Sequence, residues 1–274
     1  MAIFNDTLLQ LRHKLSDRMN KDAVFGTVAS PGSGSFVCDE TDWEKADDYF
    51  ADFVEAYCYS GTGVGTSGKP TDWVNSSHTL SFLPAAVLTA GDLVELHRSW
   101  TVRELNSAIN QAIDRVAKIA LQDRNDETTS LVTGTYIYDL PATFVSVVDL
   151  WVSDVNGVFM YEDPIDPRYY RWVKKSDGVD IEFVKERFYP TTGQTLRIVG
   201  QASPSVLDTD DEQSPIEPEY IIQRAKGILH QSRIRGSDKD SEWHATQEGI
   251  ASGKARNIAR DLNVGIKGQA VVDM

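Results

Sequence analysis

The stretch Thr101–Gln122, TVRELNSAINQAIDRVAKIALQ, narrows the possible folds more than any other part of the chain. Thr101 and, three residues on, Glu104 make a capping-box pair, in which each side chain satisfies a backbone N–H that a helix start leaves without a partner. Val102, Leu105, Ile109, Ala112, Ile113, Val116 and Ala120 then recur in steps of three and four, which places them on one stripe. Arg103, Asn106, Asn110, Asp114 and Lys118 occupy the opposite face. An amphipathic helix needs partners for its stripe, so this segment is expected to be the central helix of a small bundle.

Residues 5–20, NDTLLQLRHKLSDRMN, predict a shorter helix, capped by Asn5 or Asp6, with Leu8, Leu11, Leu15 and Met19 on its buried side. Two glycine-rich runs follow, Gly26–Ser35 and Gly61–Gly68, with an acidic block and an aromatic cluster between them. The block holds Asp39, Glu40, Asp42, Glu44, Asp47, Asp48, Asp52 and Glu55, and the cluster Tyr49, Phe50, Phe53, Tyr57 and Tyr59. Residues 78–84 and 92–98 alternate like half-buried strands, so residues 22–98 predict a β-rich insertion between the first helix and the central one.

After the central helix, 131–141 and 144–153 read as strands. Asn156-Gly157 signals a hairpin back into Val158–Tyr161, and Asp177-Gly178 a second one between 170–174 and 179–184. Residues 195–200 add a further strand. Connections this short make an antiparallel sheet. Pro218 suits the first turn of a helix at 220–233 that buries Ile221, Ile222, Ala225, Ile228 and Leu229. A final helix is expected near 238–262, where Gly249 and Gly253 fit either close approach of a neighbouring helix or exposure to solvent. The last residues, NVGIKGQAVVDM, carry no packing pattern. The expected class is α+β: a small helical bundle, an antiparallel β-sheet and an inserted β-rich module.

With 27 Lys and Arg against 41 Asp and Glu, the 274-residue chain has a formal charge of −14, which argues against a protein that grips duplex DNA through its phosphates. No apolar run approaches the ~20 residues of a membrane helix, so no membrane partner is expected. The opening residues lack the pattern of a secretory signal, so none is expected, and Cys38 and Cys58 are expected to be reduced thiols rather than a disulfide.

Chemistry is sparse. Gly63–Lys69, GVGTSGK, has the spacing of a phosphate-binding loop, yet Pro70 stands where a Ser or Thr should begin a helix. A glycine-rich turn explains the same letters better than a nucleotide-binding enzyme. His13, His78, His97, His230 and His244 are scattered without zinc spacing and read as surface or interfacial histidines. Asp47-Asp48 and Asp210-Asp211 lie in polar runs that read as solvated faces rather than calcium or acid–base sites. Trp43, Trp73, Trp100, Trp151, Trp172 and Trp243 fall about one to an element, as core anchors or oligomer hot spots do. No catalytic, metal or cofactor site is expected.

Four segments in order carry a resemblance: LLQLRHKLSDRM, TAGDLVELHRSWTVRELNSAINQAI, TGTYIYDLPATFVSVVDLWV and TLRIVGQASPSVLDTDDEQSPIEPEYIIQRAKGILH. As a set they resemble the head-to-tail adaptor, or connector, proteins of tailed bacteriophages. That resemblance implies a structural neck protein in the virion, assembled in the host cytoplasm. It implies a ring, typically of about twelve copies, between the portal and the tail or nozzle proteins, through which DNA passes without specific binding. It divides the chain into an N-terminal helix (1–21), the inserted module (22–98), an adaptor core (99–262) and an extended tail (263–274). It also assigns portal binding to the tail residues Val264, Ile266, Val271, Val272 and Met274. Asp208, Asp210, Asp211 and Glu212, with Trp243, become candidates for ring interface or lumen. A tail-fibre-associated or capsid decoration protein is the alternative.

Overall fold

The computed structural model describes residues 5–38, 45–85, 87–159, 164–176, 178–234, 239–262 and 269–270. In chain order the first elements are β1 (Asp6–Thr7), α1 (Leu8–Arg18), β2 (Ala23–Thr27), β3 (Ser30–Gly32), β4 (Ser35–Val37), β5 (Glu55–Ser60), β6 (Ser67–Val74), β7 (Thr79–Leu83) and β8 (Leu93–His97). There follow α2 (Val102–Val116), β9 (Gln122–Ser130), β10 (Ile137–Asp139), β11 (Phe144–Val152), β12 (Tyr170–Lys174), β13 (Val179–Phe183) and β14 (Thr195–Ala202). The chain closes with β15 (Gln213–Ser214), α3 (Pro218–Arg233), α4 (Lys239–Asp261) and β16 (Gln269–Ala270). The class is mixed α+β, as the sequence predicts. Contacts group the chain into two units, one of Met1–Ala112 with Leu207–Ile258 and one of Ile113–Val206 with Ala259–Met274.

The first unit holds a seven-stranded antiparallel sheet in the order β2-β8-β5-β6-β7-β4-β3. Its core includes Phe36, Phe50, Phe53, Trp73, Leu80, Phe82, Val94 and Leu96. Phe50 meets the Trp73 ring edge-on with centroids 5.1 Å apart. Cys38 and Cys58 are both buried in this core, and no disulfide joins them. Helix α1 starts at Thr7 rather than Asn5 or Asp6, because Thr7 and Gln10 form the capping box. Leu8, Leu11 and Leu15 are buried as expected; Arg12, on the same stripe, is fully buried too. Pro218 lies in the first turn of α3. Helix α3 lies against α1, where Lys226 Nζ donates to the Arg18 carbonyl at 3.2 Å.

Between α3 and α4 the close approach occurs at Gly227. A Cβ there would meet Ser252 Oγ at 2.9 Å, whereas Cβ atoms at Gly249 and Gly253 would meet nothing within 4 Å. The exposed alternative therefore holds for Gly249, while Gly253 is half-buried without a close neighbour.

Helix α2 has the predicted start. Thr101 N–H and the Glu104 carboxylate are 2.9 Å apart, and Glu104 N–H donates back to Thr101 Oγ1 at 3.2 Å. Leu105, Ala108, Ile109, Ala112, Ile113 and Val116 are essentially inaccessible to solvent. At about 1.5–3 kcal/mol for each large aliphatic side chain removed from water, this stripe is a main source of the helix's stability. The helix stops at Val116, a turn and a half before the predicted end, and Gln122 already begins β9. Polar QDRNDETTS was not expected to form a strand; it is the edge strand of its sheet and mostly exposed, so it needs no apolar alternation.

The second unit contains two antiparallel sheets where one was expected: β10-β13-β12, and β16-β11-β14-β9. They share a core that includes Phe144, Leu150, Ile181, Phe183, Leu196 and Ile198. The 170–174 and 179–183 strands pair as a hairpin, with Gly178 in its connection. At Asn156-Gly157 the chain turns with Gly157 at φ +81°, and the return is a single bridge between Ser153 and Phe159; Tyr161 lies outside the described residues. Gln269 and Ala270 pair with Val147 and Ser146 on β11. Val264, Ile266, Val271, Val272, Met274 and Trp43 lie outside the described residues.

Candidate functional site

Three features of the first unit gather its chemistry. The first is the acidic loop before β15. Leu207 is buried and hooked from both sides by Asn110 of α2, which donates to its carbonyl and accepts from its N–H, each at 2.9 Å. The carbonyls of Asp210 and Glu212 then accept from Leu9 N–H (3.1 Å) and Leu8 N–H (3.0 Å), so the loop caps amides that the start of α1 leaves open. The Glu212 carboxylate accepts from the loop amides of Asp208 and Thr209. Asp208, Asp211 and Glu212 are exposed. Asp210 differs from them, because its carboxylate grips Arg12 through two bonds of 2.6 and 2.8 Å.

That contact leads to the second feature, a buried ion network. Arg12 Nε donates to Glu95 Oε1 at 2.9 Å, and both side chains have no solvent exposure. His13 Nε2 is 3.0 Å from Glu95 Oε2, and His97 lies between Glu95 (3.5 Å) and Asp22 (3.8 Å). Burial alone would raise the Glu95 pKa. The hydrogen bond to His13, the His97 ring beside it and the charge of Arg12 outweigh burial and bring it down to about 2. For His97, burial opposes protonation but Asp22 and Glu95 overcome it, and its pKa is raised. His97 and His230 are thus buried, not surface, histidines. A trace of this was present in the sequence: Arg12 falls between Leu8, Leu11 and Leu15 on the apolar stripe, and Glu95 and His97 alternate with Val94 and Leu96.

The third feature is a cleft of about 550 Å³ lined from Met19–Asn20, Arg98–Trp100, α3 and α4. Arg233 stacks 4.3 Å over the Trp100 ring and donates to the Ser99 carbonyl at 2.7 Å. His230 and His244 bring their Nδ1 atoms to 2.8 Å, and Trp243 meets the His230 ring edge-on. Burial first, then His244 and Lys226, press the His230 pKa down to about 4. Trp243 itself is 45% exposed.

The glycine-rich loop is used internally. Thr62 and Gly63 N–H donate to the Asp92 carboxylate at 2.7 and 3.1 Å, and Lys69 and Pro70 continue along β6 instead of opening a helix. The Gly63 amide already has an anion, the Gly65 and Thr66 amides donate to the Cys58 and Gly63 carbonyls, and a strand stands where a helix should begin, which overturns the nucleotide-binding reading. Among the described residues no cluster of three or more His, Cys, Asp or Glu side chains is placed to hold a metal ion. No helix among them is long and apolar enough to cross a membrane.

A family model described as "SU10 adaptor protein" matches residues 79–272, well over half of the chain. The chain belongs to the SU10 adaptor protein family. That family is one of structural adaptors, not of enzymes. The matched region of this SU10 adaptor protein contains the acidic loop, α2, α3 and α4, while Arg12 and most of the seven-stranded sheet precede it. Among solved structures, a chain of the "Neck of empty GTA particle computed with C6 symmetry" is similar at 19% identity, over 50% of this chain and 68% of that one, with a TM-score of 0.26. A comparison with curated proteins finds no match.

Proposed function

We propose that this adaptor forms a closed ring of about twelve copies that joins the portal to the tail or nozzle proteins and surrounds the path of the DNA. The match over residues 79–272 carries this reading. The division follows the chain: residues 1–21 give the N-terminal helix of the bundle, 22–98 a module turned outward or toward tail components, 99–262 the adaptor core, and 263–274 the tail. Val264, Ile266, Val271, Val272 and Met274 offer that tail apolar contacts for the portal. A net charge of −14 keeps DNA from adhering while it slides, since like charge repels phosphate. Exposed Asp208, Asp211 and Glu212, with Asp210 beneath them, belong to the ring interface or lumen in this reading, and half-exposed Trp243 to the interface.

Antibody-labelled electron microscopy of intact particles tests the proposal. Label at a single vertex, between capsid and tail, is the expected result. Label at tail tips or over the whole capsid refutes it and favours a fibre-associated or decoration protein.

A further inference from the structure

We infer that the cleft between α3 and α4 of one copy receives the acidic loop 208–212 of the next copy. The inference rests on the ring reading above and names the two surfaces that would close the ring. A cyclic ring of more than two copies needs a heterologous contact, in which two different patches of the same chain meet.

The cleft supplies the first patch. Arg98, Lys226 and Arg233 line it, in a chain that is otherwise strongly acidic. Burial first, then the nearby charges of Lys254 and of Arg18, itself 3.5 Å from Glu219, lower the proton affinity of Lys226. Of the carboxylates on the wall, Asp22 already accepts from Ser99 N–H and sits beside His97, which leaves Asp240 facing the cations. Trp243 adds a half-exposed indole, the residue type most often found as an interface anchor.

The loop supplies the second patch. Asp208 and Asp211 are exposed on it, whereas the Glu212 carboxylate folds back onto the Asp208 and Thr209 amides. Its backbone is already fixed by Asn110, by the α1 amides and by the Asp210–Arg12 pair. A loop ordered in advance loses little conformational entropy on docking. Carboxylates on a rigid loop also suit the planar fork of Arg233, which its stacking on Trp100 holds in place.

Position excludes self-occupancy. The loop binds the start of α1 at Leu8, Leu9 and Arg12, whereas the cleft opens beside Met19 and Asn20, just past its end. Eleven helical residues span about 16 Å, so one copy cannot place its own loop in its own cleft. A second copy can.

Zero-length carbodiimide cross-linking of intact particles, read by mass spectrometry, tests this directly. A Lys226 to Asp208 or Asp211 link is expected. Links between copies elsewhere, without this one, would overturn the inference and leave the ring reading standing. No link between copies anywhere would overturn both. Comparing DNA-filled with empty particles separates the other anion: Lys226 shielded from acylation only when DNA is present would assign the cleft to phosphate instead. A charge exchange gives an independent readout, with circular dichroism used to confirm that each variant folds. K226E with R233E, or D208K with D211K, should each lower the yield of joined particles at least tenfold, and the four-site variant should restore most of it. Equal yields from all three would overturn the inference.

Discussion

Arg12→Met removes a guanidinium that is fully buried and held by Glu95, Asp210 and Asn106. The partner left behind decides the cost. Glu95 has no solvent exposure and stays ionised with a pKa of about 2 against an ordinary 4.5. A difference of that size is worth about 3 kcal/mol at neutral pH, shared among His13, His97 and Arg12. Breaking one side of a buried ion pair costs about 3–5 kcal/mol in proteins generally, and release of the Asp210 loop adds to the loss. Urea unfolding followed by the fluorescence of the buried Trp73 and Trp100 should therefore show about 3–5 kcal/mol less stability in the variant. Because the folded Glu95 pKa lies below the unfolded one, its contribution is complete above about pH 4.5 and disappears as pH falls toward 2. The gap between wild type and Arg12→Met should narrow over the same range. Adding Glu95→Gln removes the stranded charge, so the double variant should be more stable than Arg12→Met alone. A loss under about 1 kcal/mol, or single losses that simply add in the double variant, would refute the reasoning.

Three further outcomes follow from particular contacts. Gly200→Ala places a Cβ 2.2 Å from the Ser146 carbonyl oxygen, a backbone atom that cannot swing away, and should destabilise the second unit by about 3 kcal/mol or more in a thermal melt. His230 has a folded pKa of about 4, below the ordinary 6.5, so its buried neutral form favours folding fully above pH 6.5 and loses up to about 3 kcal/mol as pH falls toward 4. His97, with its raised pKa, has the opposite sign, which makes the difference between wild type and His230→Gln across that range the useful measurement; parallel curves would contradict the assignment. Burial and Asp92 push the Cys58 thiol up to about 11, so thiol reagents should modify it at pH 8 only as fast as the protein unfolds.

Much of the secondary structure was legible because its causes are local. The capping box at Thr101, the three-four stripe of α2, the Asn156-Gly157 turn and Pro218 at the start of α3 each depend on residues a few positions apart. So does the alternation of β7. Where the reading failed, a distant partner had replaced the solvent that a local rule assumes. Gln122–Ser130 is polar on both faces and forms a strand because β14 offers it an edge. Glu95 and His97 alternate as solvent-facing residues should, yet both are buried, since Arg12 and Asp22 supply the charge that water would otherwise supply.

The candidate surfaces divide in the same way. By itself the sequence determined the helix and strand content, the acidic balance, the exposed acids at 208–212 and the ordered set of segments by which an adaptor is recognised. Tertiary structure decided that Asp210 belongs to Arg12, 198 positions away, while Asp208 and Asp211 stay exposed. It also brought His230 and His244 together across two helices, beside Lys226 and Arg233, and gave the amides of Thr62 and Gly63 an internal anion in Asp92. The physical reason is range. Propensity, capping and amphipathic period act within a turn or two of chain, whereas the desolvation that gives a buried charge its partner depends on everything packed around it.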